Sequence, residues 1–348
     1  MVQPNIRRQN NRFKIWIGIL LAVCAVLIFL LGDVIHLKNV WKNEDETKTV
    51  VSEEILSQTK SASAALTAAV TPTEMPTNTA LPTEIPTETI VPTLAPADWQ
   101  NWPVIPESVS DKMKQVYQAG LDAGNNPAVF SKIGDSNSVM PSFLSCYDFG
   151  SKGYDLGPYA NLQPVITQFQ WSFSRYSRGT KNGATAADMD GYNWYDDNVC
   201  WPYESALNCE YRLNNPSIAF IMFGTNDALM DSKIFREHLK SLVQKTLDRN
   251  IVPILGTKID NLEGDNSFNE IIAETAAENE VPLWNLWRAE QPLPNHGLKE
   301  GDVHPTANDT SLCNFSGEDL QKYGWTMRNL TALQVLDRVW RLLTDQNG

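Results

Sequence analysis

Three short polar motifs in this chain hold the residue types that cleavage of an ester requires. Ser136 closes the triplet Gly-Asp-Ser, Asn226 lies in the sequence Gly-Thr-Asn-Asp, and His304 stands two residues after Asp302. A serine hydroxyl becomes a nucleophile when a neighbouring base accepts its proton, and an amide N–H can stabilise the oxyanion that then develops. Ser136, His304 and Asn226 therefore predict acyl chemistry that runs through a covalent serine intermediate.

Each motif also has an ordinary structural explanation when it is taken alone. Gly-Asp-Ser is a common turn sequence, and Asn and Asp are frequent where a strand leads into a helix. A loop histidine such as His304 needs no catalytic task. Two other histidines compete for the role of base, because His296 could line the same cleft, whereas His238 lies in a predicted helix. Only the three motifs together favour chemistry over these explanations.

Apolar strands and amphipathic helices alternate along the part of the chain that carries the motifs. The predicted strands cover residues 128–133, 217–223, 251–255 and 281–286, and the predicted helices cover residues 110–123, 232–250, 268–279 and 330–343. Such alternation is typical of an α/β fold with a mainly parallel sheet. Ser136 and Asn226 each follow a strand, so both should lie at the carboxyl edge of the sheet, where ligands bind in such folds. Residues 141–215 show only weak periodicity.

The three motifs, in the order in which they occur along the chain, resemble those of the SGNH (GDSL) hydrolase superfamily over about residues 128–306. The resemblance implies a three-layer α/β/α sandwich with a mainly parallel sheet of the flavodoxin-like type. It also implies that Ser136 is the nucleophile and that His304 is the base. Asn226 and Gly183, with the backbone N–H of Ser136, would be the oxyanion donors.

Two of these assignments leave alternatives open. Gly183 lies in the sequence Asn-Gly-Ala-Thr, which resembles the glycine block of the family, but Gly179 is close enough to compete. The family usually has its aspartate three residues before the histidine, whereas Asp302 stands two residues before His304. We expect Asp302 to orient the imidazole. Glu300 is the reserve for that role, and a backbone carbonyl could also serve.

The first hundred residues carry no part of this chemistry. The apolar run of residues 15–32 follows four basic and no acidic residues, which predicts a transmembrane anchor with residues 1–14 in the cytoplasm. No small-x-small cleavage site follows the run, so an uncleaved anchor is favoured over a signal peptide. Recurring prolines and threonines predict an extended extracytoplasmic stalk over residues 33–97. Residues 98–348 then form one hydrolase domain outside the cytoplasm.

The net charge of the chain limits the kinds of partner it can bind, and its cysteine content indicates the compartment in which it folds. The formal net charge of −13 argues against a nucleic-acid partner, which requires a basic face. Four cysteines in the outer domain suggest two disulfides. Cys200 could pair with Cys209 and Cys146 with Cys313, which is one of three possible pairings. No C-x-x-C or H-x-x-x-H spacing occurs, so we expect no metal and no other cofactor.

The sequence supports one leading functional hypothesis and two alternatives. The leading hypothesis is an extracytoplasmic serine esterase that acts on carbohydrate or small acyl esters through an acyl-Ser136 intermediate. An O-acyltransferase would use the same residues, and a non-catalytic surface binding module would need none of them. Trp171, Trp194 and Trp201 could stack on the sugar rings of an envelope polysaccharide, but we expect them to pack loops over the core.

Overall fold

The computed structural model describes residues 95–191, 199–308 and 310–345. In chain order its α-helices are Asp111–Asp122 (α1), Gln163–Gln168 (α2), Ala186–Asp190 (α3), Ala206–Asn214 (α4), Ser232–Leu247 (α5), Ser267–Asn279 (α6), Leu286–Glu290 (α7) and Gly324–Leu343 (α8). Its β-strands are Asn126–Gly134 (β1), Pro216–Met222 (β2), Val252–Gly256 (β3) and Leu283–Trp284 (β4).

The predicted membrane anchor, residues 15–32, and the predicted stalk up to residue 94 lie outside the described residues. Within 95–191, 199–308 and 310–345, no helix is both long enough and apolar enough to cross a membrane. The described chain opens with a short 3-10 helix, Pro96–Asn101, whose Trp99 is buried.

The four strands form one parallel sheet in the order β1-β2-β3-β4. Gly134 at the end of β1 lies beside Met222 of β2, and Leu255 of β3 lies beside Leu283 of β4. A further parallel bridge joins Gly134 to Thr180 on the other side of β1. When this bridge is counted as a short edge strand, the order in chain numbering is 2-1-3-4-5, which is the flavodoxin-like order. The predicted parallel sheet is confirmed.

Helices cover both faces of this sheet. On one face α1 packs against β2, β3 and α8, and α8 also contacts α2; on the other face α3, α4, α5 and α6 form the second layer. Every residue of β2 is buried, because a strand covered on both faces can be apolar along its whole length. The three layers confirm the α/β/α sandwich that the resemblance implies.

Two elements differ from their predicted extents for local reasons. The last strand contains only Leu283–Trp284, because the side chain of Asn285 accepts a hydrogen bond from the backbone of Arg288 and begins α7 there. The closing helix begins at Gly324, six residues before its predicted start. Its first N–H group donates to the hydroxyl of Thr306 at 2.9 Å, so the cap comes from a residue distant in sequence.

The described residues of the stretch with weak periodicity, 141–215, include three α-helices, α2, α3 and α4. Two disulfides stabilise this part of the chain, one joining Cys146 to Cys313 and the other joining Cys200 to Cys209. These are the two pairs that the sequence suggested. A cross-link over 167 residues removes about 5 kcal/mol of chain entropy from the unfolded state in the loop-closure model.

The expectation that tryptophans pack the loops of this stretch over the core is wrong for the two that are described. Trp171 is 68% exposed and Trp201 is 63% exposed. Trp201 instead lies over the guanidinium of Arg212, whose carbon is 4.1 Å from the ring centre. Phenylalanines fill the core beneath these loops. Trp194 lies outside the described residues.

Candidate active site

Ser136 lies in a tight turn at the carboxyl end of β1. The side chain of Asp135 accepts a hydrogen bond from the backbone of Asn137 at 2.9 Å, which begins the short 3-10 helix Ser136–Ser138. Asp135, Asn137 and Ser138 are buried, whereas Ser136 is partly exposed. A Cβ atom on Gly134 would lie 2.3 Å from the Ser138 hydroxyl oxygen, so only glycine permits this turn. The turn therefore presents the Ser136 hydroxyl at the edge of the sheet.

His304 reaches this hydroxyl from the loop that precedes α8. Its Nε2 atom is 3.0 Å from Ser136 Oγ, and its Nδ1 atom is 2.7 Å from Asp302 Oδ1. With the carboxylate accepting from Nδ1–H, the Nε2 lone pair faces the serine hydroxyl. The three side chains thus form one hydrogen-bonded chain in which His304 can take the proton of Ser136.

Asp302 makes its contact with the imidazole despite the unusual two-residue spacing. A tight turn, in which the backbone N–H of Asp302 donates to the carbonyl of Lys299 at 3.2 Å, brings the carboxylate to Nδ1 of the ring. The hydrogen bond from His304, together with those from the backbone of Val303 and His304, holds the pKa of Asp302 below its usual value. The carboxylate therefore remains ionised at neutral pH. Glu300, the reserve candidate, is exposed.

We expect Asp302→Ala to lower kcat for an aryl acetate by about 10³-fold, because the imidazole loses the group that sets its tautomer and stabilises its cation. Glu300→Ala is the matched control, since it removes a carboxylate from the same turn, and its kcat should stay within about twofold of the wild type. Steady-state kinetics of both variants checks the assignment. Equal losses in the two variants would show that Asp302 is not the orienting acid.

Asn226 lies in the turn after β2, next to the segment that holds Gly183. Its side-chain Nδ2 donates to the backbone carbonyl of Ala184 at 3.0 Å, which leaves the second N–H of the amide as a further donor. Gly183 has a φ of +75° and an exposed backbone. Gly179, its competitor, packs against Ile133 and so has a structural reason to be glycine. The oxyanion role of Gly183 stays a prediction.

Asp227 joins these two segments, and the sequence analysis gave it no role. One carboxylate oxygen accepts from the backbone of Ala186 at 2.8 Å and the other from the backbone of Gly224 at 3.0 Å. Burial raises the pKa of this carboxyl, and the two N–H donors oppose the rise. Asp227 thereby holds the turn of Asn226 against the segment of Gly183. Its position directly after Asn226 was the only signal for it in the sequence.

We expect Asn226→Ala to lower kcat by about 10²- to 10³-fold, with KM little changed, because an oxyanion donor acts mainly in the transition state. Asn182→Ala removes an exposed amide from the segment beside Gly183 and serves as the control. The measurement is kcat and KM on a short-chain aryl ester. A rise in KM at unchanged kcat would assign Asn226 to ground-state binding instead.

A small polar cavity lies behind the nucleophile turn, between the ends of β1, β2 and β3. It measures about 20 Å³, and its lining includes Asp135, Thr225, Lys258, Asp260 and Arg328, so it has room for about one water molecule. Thr225 donates to Asp260 at 2.7 Å, and Lys258 donates to the other oxygen of the same carboxylate at 2.7 Å. This buried network fixes the turn that carries the candidate oxyanion donor.

The buried carboxyl of Asp135 should make stability depend on pH. Burial raises its pKa to about 6, so the folded state binds a proton that the unfolded state releases near pH 4. Stability should therefore fall by about 3 kcal/mol as pH rises from about 4 to about 6. Asp135→Asn keeps an acceptor for the backbone N–H of Asn137 and removes the ionisable group, and with it this pH dependence of stability. Urea unfolding at pH 4.5 and pH 8 should show the variant gaining stability at pH 8 only, and parallel pH profiles would contradict this.

One group within the described ranges has the geometry of a metal site. Cys200, Glu204 and Cys209 lie close together, but both cysteines are bonded to each other in a disulfide. The group therefore provides no thiolate for a metal ion.

No family model matches the sequence, and no curated protein matches it. Among solved structures, the chain is similar to a lipolytic protein of the G-D-S-L family from Desulfitobacterium hafniense DCB-2, with 16% identity, a TM-score of 0.38 and coverage of 60% of this chain and 99% of that one. It is similar to a GDSL-like lipase from Bacteroides thetaiotaomicron VPI-5482, with 14% identity, a TM-score of 0.38 and coverage of 65% and 98%.

A third similar structure is an acetylxylan esterase from Geobacillus stearothermophilus, with 17% identity, a TM-score of 0.39 and coverage of 62% of this chain and 97% of that one. Identities and TM-scores of this size decide no function. The chain is thus similar to G-D-S-L lipolytic proteins and to an acetylxylan esterase, and its chemistry has to follow from its own side chains.

Proposed function

We propose that this protein is a serine esterase that hydrolyses acyl esters through an acyl-Ser136 intermediate. The observation that carries the proposal is the hydrogen-bonded chain from Ser136 Oγ to His304 Nε2 and from His304 Nδ1 to Asp302, at 3.0 and 2.7 Å. This chain couples a hydroxyl to a base and the base to an anion, which is what an activated serine requires.

The geometry gives each side chain a step in the reaction. Ser136 Oγ attacks the ester carbonyl carbon while His304 Nε2 accepts the hydroxyl proton. The N–H groups of Ser136, Gly183 and Asn226 stabilise the oxyanion. The tetrahedral adduct then breaks its bond to the leaving oxygen, which takes the proton from His304. Water attacks the acyl-serine with His304 again as base, and the acid and free Ser136 result.

The exposure of the site favours hydrolysis over transfer of the acyl group. The side chains of His304 and Asp302 are each 39% exposed, so water can approach the acyl-serine beside its base. An acyltransferase has to keep water from this position while an acceptor hydroxyl binds. We therefore favour water as the acceptor.

We further propose that the substrate carries a small acyl group, as in an acylated carbohydrate. The cavity behind the nucleophile turn measures about 20 Å³ and has room for about one water molecule, so it offers no space for a long alkyl chain. Trp171 and Trp201 are exposed, and exposed aromatic rings can stack on apolar faces of ligands.

We also propose that the enzyme works outside the cytoplasm on a single N-terminal anchor. The apolar run of residues 15–32 behind four basic residues supports the anchor. The disulfides Cys146–Cys313 and Cys200–Cys209 support an oxidising compartment. Extraction of membranes with carbonate tests the anchor, because a spanning segment keeps the protein in the pellet, whereas release into the supernatant would contradict it.

Labelling with a serine-directed fluorophosphonate tests the proposed chemistry. Intact-mass analysis of the full chain should show one adduct, and peptide mapping should place it on Ser136. Denatured protein is the control and should remain unlabelled, because an isolated serine hydroxyl is a weak nucleophile. A folded protein without an adduct, or with an adduct elsewhere, would refute the esterase.

A further inference from the structure

The start of α8 is bonded to the loop that carries His304. Thr306 Oγ1 accepts the first N–H of the helix from Gly324 at 2.9 Å, and the carbonyl of Thr306 accepts the next one from Trp325 at 3.0 Å. Thr306 in turn donates its own N–H to Gly297 at 2.7 Å. The helix therefore holds this loop two residues beyond the candidate base.

One turn further along α8, Arg328 reaches the turn that carries Ser136. Its Nε donates to the carbonyl of Asn137 at 3.1 Å, and its side chain is buried, with 2% exposure. The side chain of Asn137 then donates to the carbonyl of Val303 at 3.4 Å. Asn137 follows Ser136, and Val303 precedes the candidate base. Two hydrogen bonds thus connect Arg328 to both loops, each one residue away from a reacting side chain.

Burying this guanidinium is costly, and packing alone does not require it. Three aromatic rings surround it, with centres 5.0 to 5.7 Å from the guanidinium carbon: Phe143, Trp284 and Trp325. Burial lowers the pKa of Arg328 to about 10, so the group stays charged at neutral pH. An apolar side chain of similar volume often packs as well or better in such a place. The charged donor therefore calls for a reason other than stability.

Two buried acids, Glu290 and Asp135, interact with Arg328 through charge, but the hydrogen bonds of Arg328 go elsewhere. Both carboxylate oxygens of Glu290 have no hydrogen-bond partner among the described residues, and burial raises its pKa well above the usual value. Glu290 therefore accepts no hydrogen bond from Arg328, and burial disfavours its carboxylate form. The Nε of Arg328 donates to the carbonyl of Asn137, directly after the nucleophile, and another of its nitrogens donates to Sδ of Met222.

We infer that Arg328 is a positioning residue that keeps the Ser136 turn and the His304 loop at hydrogen-bonding distance from each other. The inference rests on the proposed function for its catalytic consequence. Arg328 touches neither substrate nor reacting atoms, and it acts through the carbonyl of Asn137. Its loss should separate the two loops by a fraction of an ångström to about an ångström, a displacement that can cost about 10²-fold in rate.

The test compares two neutral variants of similar length in the full chain. The amide nitrogen of glutamine occupies the place of Nε, so Arg328→Gln retains the donor to Asn137, whereas Arg328→Met removes it. We expect Arg328→Met to lower kcat by about 10- to 100-fold with KM within about threefold, and Arg328→Gln to recover most of the loss. Arg338→Met, on an exposed arginine of the same helix that bonds the carbonyl of Glu107, is the matched control and should leave kcat unchanged.

Hydrogen exchange tests the positioning role of Arg328 independently of catalysis. Peptides covering residues 135–139 and 302–306 should exchange faster in Arg328→Met than in Arg328→Gln or the wild type, while β2 stays protected. If Arg328→Met does not fold, the pair Arg328→Met with Glu290→Gln replaces it, because the second change removes a buried carboxyl that would otherwise lose the charge of Arg328.

The outcomes separate the two proposals. A wild type that fluorophosphonate does not label refutes the esterase, and the exchange data then still decide whether Arg328 holds the loops. Unchanged exchange in both peptides of folded Arg328→Met overturns the positioning role, whatever the labelling. Equal losses of kcat in the methionine and glutamine variants overturn it too, because they would assign the effect to charge rather than to the donor.

Discussion

Ser136→Ala should hydrolyse a short-chain aryl ester about 10⁴- to 10⁶-fold more slowly than the wild type, because removal of the nucleophile leaves only the oxyanion donors and substrate binding. The variant should also fail to react with the fluorophosphonate. The Ser136 side chain is partly exposed, and its Oγ bonds to His304 at 3.0 Å. Its loss should therefore cost little stability, and a thermal melt would confirm that the variant folds.

Ser138→Ala is the matched control for this variant. Ser138 lies in the same 3-10 helix, and its buried hydroxyl has no hydrogen-bond partner among the described residues. Its kcat should stay within about threefold of the wild type, because no bond is lost. Residual activity in Ser136→Ala close to that of the wild type would mean that another group is the nucleophile, and the proposed mechanism would be wrong.

His304→Ala should lower kcat by a similar factor of about 10⁴ to 10⁶, since without a base the hydroxyl keeps its proton at neutral pH. The matched control is His296→Ala. That histidine lies eight residues earlier, and its Nδ1 bonds the carbonyl of Gln291 rather than the serine. Steady-state kinetics at pH 7 to 8 makes the comparison.

The double variant of Ser136 and His304 gives a sharper test of the pair. Ser136 and His304 act in one proton transfer, so removing either side chain leaves the other without a contribution to the rate. The double variant should therefore be about as slow as either single variant. If the loss of kcat in the double variant equals the product of the losses in the two single variants, the two side chains act in separate steps. That result would contradict the hydrogen-bonded chain as the catalytic unit.

The two variants also discriminate between the esterase and the non-catalytic binding module. A degenerate hydrolase that only binds a surface polymer would tolerate both changes without loss of binding. The spacing of Asp302 was the main argument for that alternative, and the geometry weakens it. The turn at Lys299 places Asp302 2.7 Å from the imidazole, so the two-residue spacing still allows this hydrogen bond.

The local sequence was enough to predict the four strands and the helices α1, α5, α6 and α8, because these depend on periodicity and on nearby caps. The helices α2, α3, α4 and α7 were not predicted, and three of them lie in the stretch of weak periodicity, residues 141–215. The strand at 217–223 was predicted within one residue of Pro216–Met222, since a doubly covered strand is apolar throughout. The start of α8 was six residues off, because its cap is the hydroxyl of Thr306. A cap supplied by a distant segment leaves no local pattern to read.

The sequence by itself determined the α/β fold with a parallel sheet, which follows from the alternation of strands and helices. It also indicated Ser136, His304 and Asn226, because the three motifs occur together in the chain. Only the tertiary structure decided which acid meets the imidazole and that Asp227 and Arg328 tie the loops together. These contacts join segments up to 191 residues apart. Their geometry depends on how helices and strands pack, and no spacing along the chain encodes it.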